Sequence, residues 1–195
     1  MKNFNLQLLG LAVLAATLSA CSTTASVTSG SGEASATAHP PERRVIDDGY
    51  RSTLDRLYAS TSGSRELVAK ARGVLVFPRV LQAGFAVGVA HGDGELRINS
   101  TIDSYYSLNS ASFGAQIGAE SRAMVFLFMT QDALDKFIAS KGWSGGIDAN
   151  VAVVKVGANG AIDANVAREP EVAFVMTNAG LMADVSLQGT KISKL

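Results

Sequence analysis

The sequence comes closest to a catalytic pattern at Gly142-Trp143-Ser144-Gly145-Gly146, which fits the G-x-S-x-G spacing of a hydrolase nucleophile elbow. In that elbow the serine follows a strand and precedes a helix, and the histidine of the triad comes later in the chain. Here the pattern predicts the reverse, a helix before Ser144 and a strand after it, and His91 lies upstream. We therefore interpret the segment as a helix end followed by a loop, and we expect the protein not to be an enzyme.

The sequence also contains little that indicates a metal site or a nucleotide-binding loop. The two histidines and the single cysteine do not form a cluster with the spacing of a zinc site. The pairs Asp148/Asn150 and Asp163/Asn165 could each place two oxygen ligands on one strand face, although such pairs are more often the hydrated side of a hairpin. No glycine-rich loop opens a helix after a predicted strand. We expect no cofactor, no metal site and no nucleic-acid partner.

Cys21 carries the most specific chemical prediction. An apolar stretch from Leu8 to Leu18 follows the basic Lys2, as in a secretory signal peptide, and it is shorter than the roughly 20 apolar residues that span a bilayer. Leu18-Ser19-Ala20-Cys21 resembles the bacterial lipobox, whose cysteine is lipidated and becomes the mature N-terminus. A lone thiol in an exported protein has no disulfide partner, so lipidation explains it better than redox chemistry. The alternative is an ordinary signal peptide cleaved after Ala20.

The lipobox resemblance also implies a location. Ser22, rather than an aspartate, after the cysteine implies sorting to the outer membrane of a Gram-negative envelope. Residues 22–41 consist mostly of Ser, Thr, Ala, Gly and Pro without apolar periodicity, which predicts a flexible tether. We therefore expect a signal peptide at 1–20, a lipidated cysteine with its tether at 21–41, and one folded domain at 42–195. The mature protein would be lipid-anchored in the cell envelope, at the outer membrane, and would face the periplasm.

Basic residues are concentrated at the start of this domain. Residues 42–80 contain eight Arg or Lys against five Asp or Glu, whereas residues 81–195 contain eight against eleven. A modest excess often marks only a hydrated helix face. Beside a lipid tether, however, it also suits an anionic membrane surface. The candidate lipid-binding residues are Arg44, Arg51, Arg56, Lys70, Arg72 and Arg79.

Hydrophobic periodicity predicts an α+β fold with a curved or barrel-like antiparallel sheet, N-terminal helices and one inserted helix. Apolar residues from Ile46 to Tyr58 recur at helical spacing, and a second helix is expected to begin at the N-cap Ser64 and to stop at Gly73. The inserted helix has Thr130 as its N-cap, Gly142 as its stop, and Leu134, Phe137 and Ile138 as its core stripe. Strands are predicted at 74–77, 85–90, 95–99, 104–108, 112–119, 123–130, 147–156, 161–166, 172–177 and 181–187.

Local signals refine the predicted sheet. Pro78 is expected to end the first strand, and Gly92-Asp93-Gly94 to form a tight turn. The run Met124–Met129 is apolar at every position, which predicts a central strand covered on both faces. An exact repeat at 147–152 and 162–167 predicts a hairpin around Asn159-Gly160.

Small residues alternate along two of the predicted strands, at 86–90 and at 114–118. Their missing side chains let another group approach the backbone closely. A helix docked over these glycines is the favoured interpretation, with an acyl chain as the alternative. Gln116 would then be a buried amide whose hydrogen-bonding groups must be satisfied.

Several motifs in order resemble the SYLF domain, a lipid-binding module of bacterial lipoproteins and of eukaryotic membrane-traffic proteins. Arg72 and Gln82 differ from the lysine or glycine expected in relatives. The resemblance covers the chain from about Arg44 to the C-terminus, and the residues that carry it are 71–78, 83–85 with Gly88, 92–94, 112–118, 125–129 and 189–192.

The SYLF resemblance implies phospholipid binding, especially of anionic head groups, without catalysis. Membrane phospholipids are thus the expected partners, and a protein partner is possible. The alternative is a non-catalytic envelope lipoprotein with a structural or protein-interaction role, in which the lipid only provides the location.

Overall fold

The computed structural model describes residues 41–146, 151–154, 162, 165–177, 180–182 and 186–195, apart from the side chains of residues 41, 86, 113–117 and 167. Ala38–Leu195 forms a compact unit. Several predictions lie outside the described residues: the lipidation of Cys21, the tether, the Asn159-Gly160 turn, the buried amide of Gln116, and the cation ligands Asp148, Asn150 and Asp163.

Three helices occur in the described part: α1 (Pro41–Ser60), α2 (Ser64–Lys70) and α3 (Gln131–Ala139). Thr130 caps α3 as predicted, because its hydroxyl accepts a hydrogen bond from the backbone N–H of Ala133 at 3.3 Å. The prediction for Ser64 is wrong. Gly63 occupies the N-cap position of α2, and the Ser64 hydroxyl instead donates to the carbonyl of Thr61 at 2.6 Å.

The ends of α2 and α3 also differ from the prediction. Ala71 and Ser140, rather than Gly73 and Gly142, follow the last helical residues. Ile138 is 38% exposed and does not belong to the core stripe of α3. None of these three helices combines the length and apolar character needed to cross a membrane.

The sheet is built on two long antiparallel strands, β1 (Gly73–Ile98) and β2 (Thr101–Phe128). The sequence predicted six shorter strands over this range, and that division is wrong. Pro78 does not end β1, because it lies in an irregularity between Phe77 and Val80 where the pairing register shifts. Such a bulge tolerates a residue that has no N–H to donate.

The turn between β1 and β2 lies at Asn99-Ser100 and not at Gly92-Asp93-Gly94. Asn99 and Ser100 both have positive φ values, 50° and 66°, and they connect the paired residues Ile98 and Thr101. A two-residue connection with both φ values positive matches the right-handed twist of a β-hairpin. The glycines at 92 and 94 are ordinary members of β1 and pair with residues of β2.

Five short strands complete the described sheet: β3 (Trp143–Ser144), β4 (Ala152–Val153), β5 (Glu171–Thr177), β6 (Gly180–Leu181) and β7 (Thr190–Lys194). The order is β3-β7-β2-β5-β4, with β1 paired to β2 and β6 to β5. All pairs are antiparallel except β4 with β5. Because β5 and β7 pair with different ends of β2, the sheet curls, and the predicted α+β class with a curved sheet is confirmed.

The last part of β2 is the central strand that the sequence predicted. Every residue from Ala123 to Phe128 is buried, and this stretch pairs with both β1 and β5. Alternate side chains enter two different hydrophobic clusters. One contains Met124, Phe126 and Phe128 together with Phe137 and Trp143, and the other contains Val125 and Leu127 together with Leu57 and Phe174.

Glycines in β1 allow distant parts of this strand to approach each other. A Cβ added at Gly92 would lie 2.4 Å from the carbonyl oxygen of Arg79, and one added at Gly84 would lie 2.5 Å from the Cα of Gly88. Both distances are too short for a side chain. At Gly88 the approaching backbone is therefore that of the same strand, and nothing lies within 4 Å of a Cβ added at Gly118, so the predicted docked helix is found at neither glycine. The prediction for Ala86, Gly114 and Gln116 lies outside the described side chains.

Candidate functional site

A cleft of about 640 Å³ lies among α1, α2, the start of β1 and the Asn99-Ser100 turn. Its lining contains one acidic side chain, Asp55. We call it the basic cleft, because four guanidinium groups line it: Arg51, Arg65, Arg72 and Arg97.

Each of these arginines is positioned by a different local structure. Arg51 is an exposed residue of α1, and Arg65 belongs to the first turn of α2. Arg72 lies in the short link before β1, where its backbone N–H donates to the carbonyl of Phe128 at 2.7 Å. Arg97 lies near the end of β1, just before the hairpin turn. The cleft therefore exists only when α1 and α2 pack against the sheet.

Two of the arginines stack on tyrosines of α1. The guanidinium carbon of Arg97 lies 4.0 Å from the ring centroid of Tyr50, and that of Arg65 lies 4.1 Å from the ring centroid of Tyr58. A guanidinium group that stacks through its face keeps the N–H donors at its edge for other partners. Stacking thus limits the rotation of both side chains. It leaves N–H donors at the edges of the guanidinium groups that can bind phosphate or carboxylate oxygens.

Arg97 is also paired with a buried carboxylate. Its Nε donates to Oε1 of Glu95 at 2.5 Å, and the side chain of Glu95 is fully buried. The pKa of Glu95 is raised to about 7, chiefly by burial and also by the hydrogen bond with the neighbouring Asp47 carboxyl, while Arg97 opposes the shift. The charge of Glu95 therefore changes near neutral pH.

A second cleft, of about 680 Å³, adjoins the first and shares Arg51, Arg97 and Ser100 with it. It adds Arg43 and Lys194 to the basic surface. Arg43 stacks over the ring of Tyr105 at 4.8 Å. The hydroxyl of Tyr105 donates to Oδ1 of Asp47 at 2.9 Å, and burial raises its pKa to about 12.

Comparison with known families identifies the second half of the described domain. Residues 109–194 match the family model described as "Ysc84: Las17-binding protein actin regulator", which is the SYLF domain. Residues 109–194 are thus similar to the SYLF-domain family. No curated protein sequence matches the chain. The SYLF match runs from the middle of β2 to β7, whereas the four arginines of the basic cleft precede it.

The structure brings together only some of the predicted lipid-binding residues. Arg51 and Arg72 line the basic cleft. Arg56 lies elsewhere on α1, where its Nη2 donates to the carbonyl of Thr177 at 3.2 Å. The remaining three are exposed on α1, α2 and β1 and do not line the cleft: Arg44, Lys70 and Arg79.

Sequence reasoning missed Arg65 and Arg97. Arg65 lay within the basic region at 42–80 and could have been included on charge alone. Arg97 is an isolated basic residue in a strand, so no local signal pointed to it. It reaches the cleft because β1 continues to the hairpin turn, which the sequence did not predict.

Four large apolar side chains of β1 are exposed, and we call them the apolar stripe: Leu81 (58%), Phe85 (76%), Val87 (51%) and Val89 (62%). Ala90, which alternates with them, is buried instead. Clustered exposed apolar residues of this kind mark interaction surfaces more often than scattered ones do.

The structure also places the residues considered for catalysis and metal binding. Ser144 lies in the two-residue strand β3, which pairs with β7, and its neighbour Trp143 is buried in the core. His91 is exposed, with Nδ1 2.9 Å from Oδ1 of Asn109. Within the described part of the chain, no three His, Cys, Asp or Glu residues gather as they would around a metal ion.

Proposed function

We propose that this chain is a membrane-anchored envelope lipoprotein whose folded domain binds phospholipids through their anionic head groups, without catalysing a reaction. The observation that carries the proposal is the basic cleft, where Arg51, Arg65, Arg72 and Arg97 face a single acidic residue. Guanidinium groups bind phosphate oxygens through charge-assisted and often paired hydrogen bonds. The SYLF match supports a lipid-binding domain.

The size and the exposure of the basic cleft suit a lipid head group. Its volume of about 640 Å³ falls within the range of about 300–1,000 Å³ that is typical of small-molecule sites. Two of its arginines are held by stacking on tyrosine, so less side-chain entropy is lost when they bind a phosphate.

The proposed anchor makes weak binding sufficient. Each basic residue near an anionic surface contributes about 1 kcal/mol, so the domain by itself would bind vesicles only modestly. A lipid on Cys21 would hold the domain at the surface through the tether and raise its effective concentration there. We propose the outer membrane, on its periplasmic side, as the location of the anchor.

Co-sedimentation of residues 38–195 with vesicles tests the head-group proposal. We expect binding to vesicles that contain phosphatidylglycerol, weaker binding to pure phosphatidylcholine, and loss of binding at about 0.5 M salt, where screening lengths fall to a few ångströms. The double variant Arg51→Glu/Arg72→Glu should abolish binding without changing the thermal melt, because both side chains lie at the protein surface.

The matched control is Arg44→Glu/Arg79→Glu, which changes the charge equally outside the basic cleft. This variant should keep most of the binding. An equal loss of vesicle binding in both double variants would indicate that binding depends on a diffuse basic surface and not on the cleft. Equal, salt-insensitive binding to both kinds of vesicle would contradict head-group recognition altogether.

The second candidate function is a non-catalytic envelope lipoprotein that contacts another protein. The apolar stripe on β1 favours it, because four large apolar side chains are exposed on one strand. Failure of the domain to bind either kind of vesicle would support this candidate over lipid binding.

A further inference from the structure

Arg122 is a buried arginine of β2 for which the described residues provide no ion-pair partner. It lies on β2 opposite Val80 and is only 9% exposed. Its Nε has no hydrogen-bond partner, and it forms no ion pair with any residue that the structure describes. A buried charge is normally paired, because its removal from water is unfavourable. The side chain therefore has unused capacity to bind an anion.

Arg122 lines a cavity of about 590 Å³ that also contains several hydroxyl groups. Oγ1 of Thr190 donates to Oγ of Ser110 at 3.3 Å, and Oγ of Ser186 accepts a hydrogen bond from the backbone N–H of Gln188 at 3.2 Å. Hydroxyl groups can donate to an oxyanion as well as to each other. The cavity thus combines one guanidinium group with neutral donors.

Glu120 is the acidic residue of this lining, and it also belongs to β2. It is exposed, and it lies two residues from Arg122 along the strand. Carboxylates and guanidinium groups at that spacing can pair, as Glu95 and Arg97 do, but no ion pair joins Glu120 to Arg122 among the described residues.

We propose that the Arg122 cavity is a binding site for a single oxyanion, a carboxylate or a phosphate group. The guanidinium group pairs with it, and the hydroxyl of Ser110, which accepts from Thr190, donates its own proton to it. The site is separate from the basic cleft and does not depend on the proposed function. Its ligand is either a small free anion or the acidic head of a lipid.

A neighbouring groove provides the means to distinguish these two sources. This groove, of about 560 Å³, is lined by Leu81, Ala83 and Val89 and shares Ala90 and Ser110 with the Arg122 cavity. An amphiphile would gain apolar contacts there that a small anion cannot make.

Calorimetric titration of the full chain at constant ionic strength tests the proposal, with inorganic phosphate, acetate and octanoate as probes. At least one probe should bind saturably, and Arg122→Gln should weaken that binding by about tenfold or more, as loss of a charge-assisted pair predicts. Tighter binding of octanoate than of acetate would indicate that the ligand is the acidic head of a lipid. Equal affinity, or tighter binding of phosphate, would assign a small anion.

Three variants separate binding at this site from structural effects. Glu120→Gln should preserve or tighten binding, and Arg51→Glu/Arg72→Glu should leave it unchanged because the basic cleft is elsewhere. Ser110→Ala provides a milder change should Arg122→Gln alter the thermal melt, and it should weaken binding measurably. Absence of saturable binding for all three probes, or wild-type affinity in both Arg122→Gln and Ser110→Ala, would overturn the proposal.

Discussion

Nε of Arg97 lies 2.5 Å from Oε1 of Glu95, so one of the four guanidinium groups of the basic cleft is bonded to a fully buried carboxylate. Only 13% of the Arg97 side chain is exposed. The positive charge that Arg97 offers to a phosphate therefore depends on whether Glu95 is ionised. Because the pKa of Glu95 is about 7, this dependence falls within the physiological pH range.

We expect binding to anionic vesicles to strengthen when the pH is lowered from 8 to 6. Protonation removes the charge of Glu95 and leaves that of Arg97 uncompensated. The other titratable groups that act on Glu95 or respond to it are Asp47, Tyr50 and Tyr105, and burial raises the pKa of both tyrosines above this pH range. Co-sedimentation at constant salt measures the effect. Glu95→Gln should bind at pH 8 at least as well as the wild type and should lose the pH dependence.

Glu171→Gln is the matched control for this experiment, since Glu171 also has a pKa raised to about 7 but does not line the basic cleft. It should retain the pH dependence of vesicle binding. The same loss of pH dependence in both variants would argue against a specific role for Glu95.

Folding stability should decrease as the pH rises from 5 to 8. Burial raises the pKa of Glu171 from an ordinary 4.5 to about 7, although Lys136 opposes the shift. The folded state therefore binds a proton more tightly than the unfolded state, and the resulting stabilisation is complete below about pH 4.5 and disappears as the pH passes 7. Urea unfolding at several pH values should show a shallower decline for Glu171→Gln, and an unchanged decline would contradict the shift.

Cys21→Ser should move the protein from the membrane fraction to the soluble fraction or to an uncleaved precursor. Acyl chains contribute about 0.8 kcal/mol per buried CH₂, and stable anchoring takes more than one membrane signal. Cell fractionation and metabolic labelling with a fatty acid measure the effect. Ser22→Ala is the control and should remain lipidated. Normal processing and membrane retention of Cys21→Ser would rule out the lipobox.

Ser100→Gly should stabilise the hairpin. Ser100 has a φ value of 66°, and this left-handed conformation costs a residue with a Cβ on the order of 1 kcal/mol, whereas glycine adopts it freely. Asn99→Gly is the comparison, and it should gain less, because asparagine already tolerates this conformation. Thermal unfolding of both variants measures the difference. A lower melting temperature for Ser100→Gly would contradict the geometry of this turn.

The comparison of β1 with its sequence shows where prediction from local signals fails. Alternation placed strands at 74–77, 85–90 and 95–99, which fall within β1 except for Asn99, but Pro78 and the glycines at 92 and 94 imitate a strand end and a turn. Pro78 is accommodated by a bulge, and Gly92 is required by the close approach of Arg79. The real turn, Asn99-Ser100, has no glycine, so it gave a weaker signal than the false one.

Local sequence signals also predicted only part of the basic cleft. Arg51 and Arg72 were predicted, because the charge excess beside the predicted tether is visible in the sequence. Arg97 enters the cleft only through the pairing of β1 with β2 and its contact with Tyr50 on α1. Tertiary packing of this kind leaves no periodic trace in the sequence.

The two-residue connection between β1 and β2 has a consequence for the order of folding. This hairpin can form from its turn outward, so its contacts form at a small cost in loop-closure entropy. Its later neighbours, β5 and β7, occur far downstream in the chain. A chain that emerges with its N-terminus first therefore leaves unpaired the two stretches of β2, at 106–110 and 123–128, that β7 and β5 will cover. Those unpaired edges are templates for association with other chains, so the period between formation of the hairpin and arrival of β7 is when this protein is most prone to aggregate.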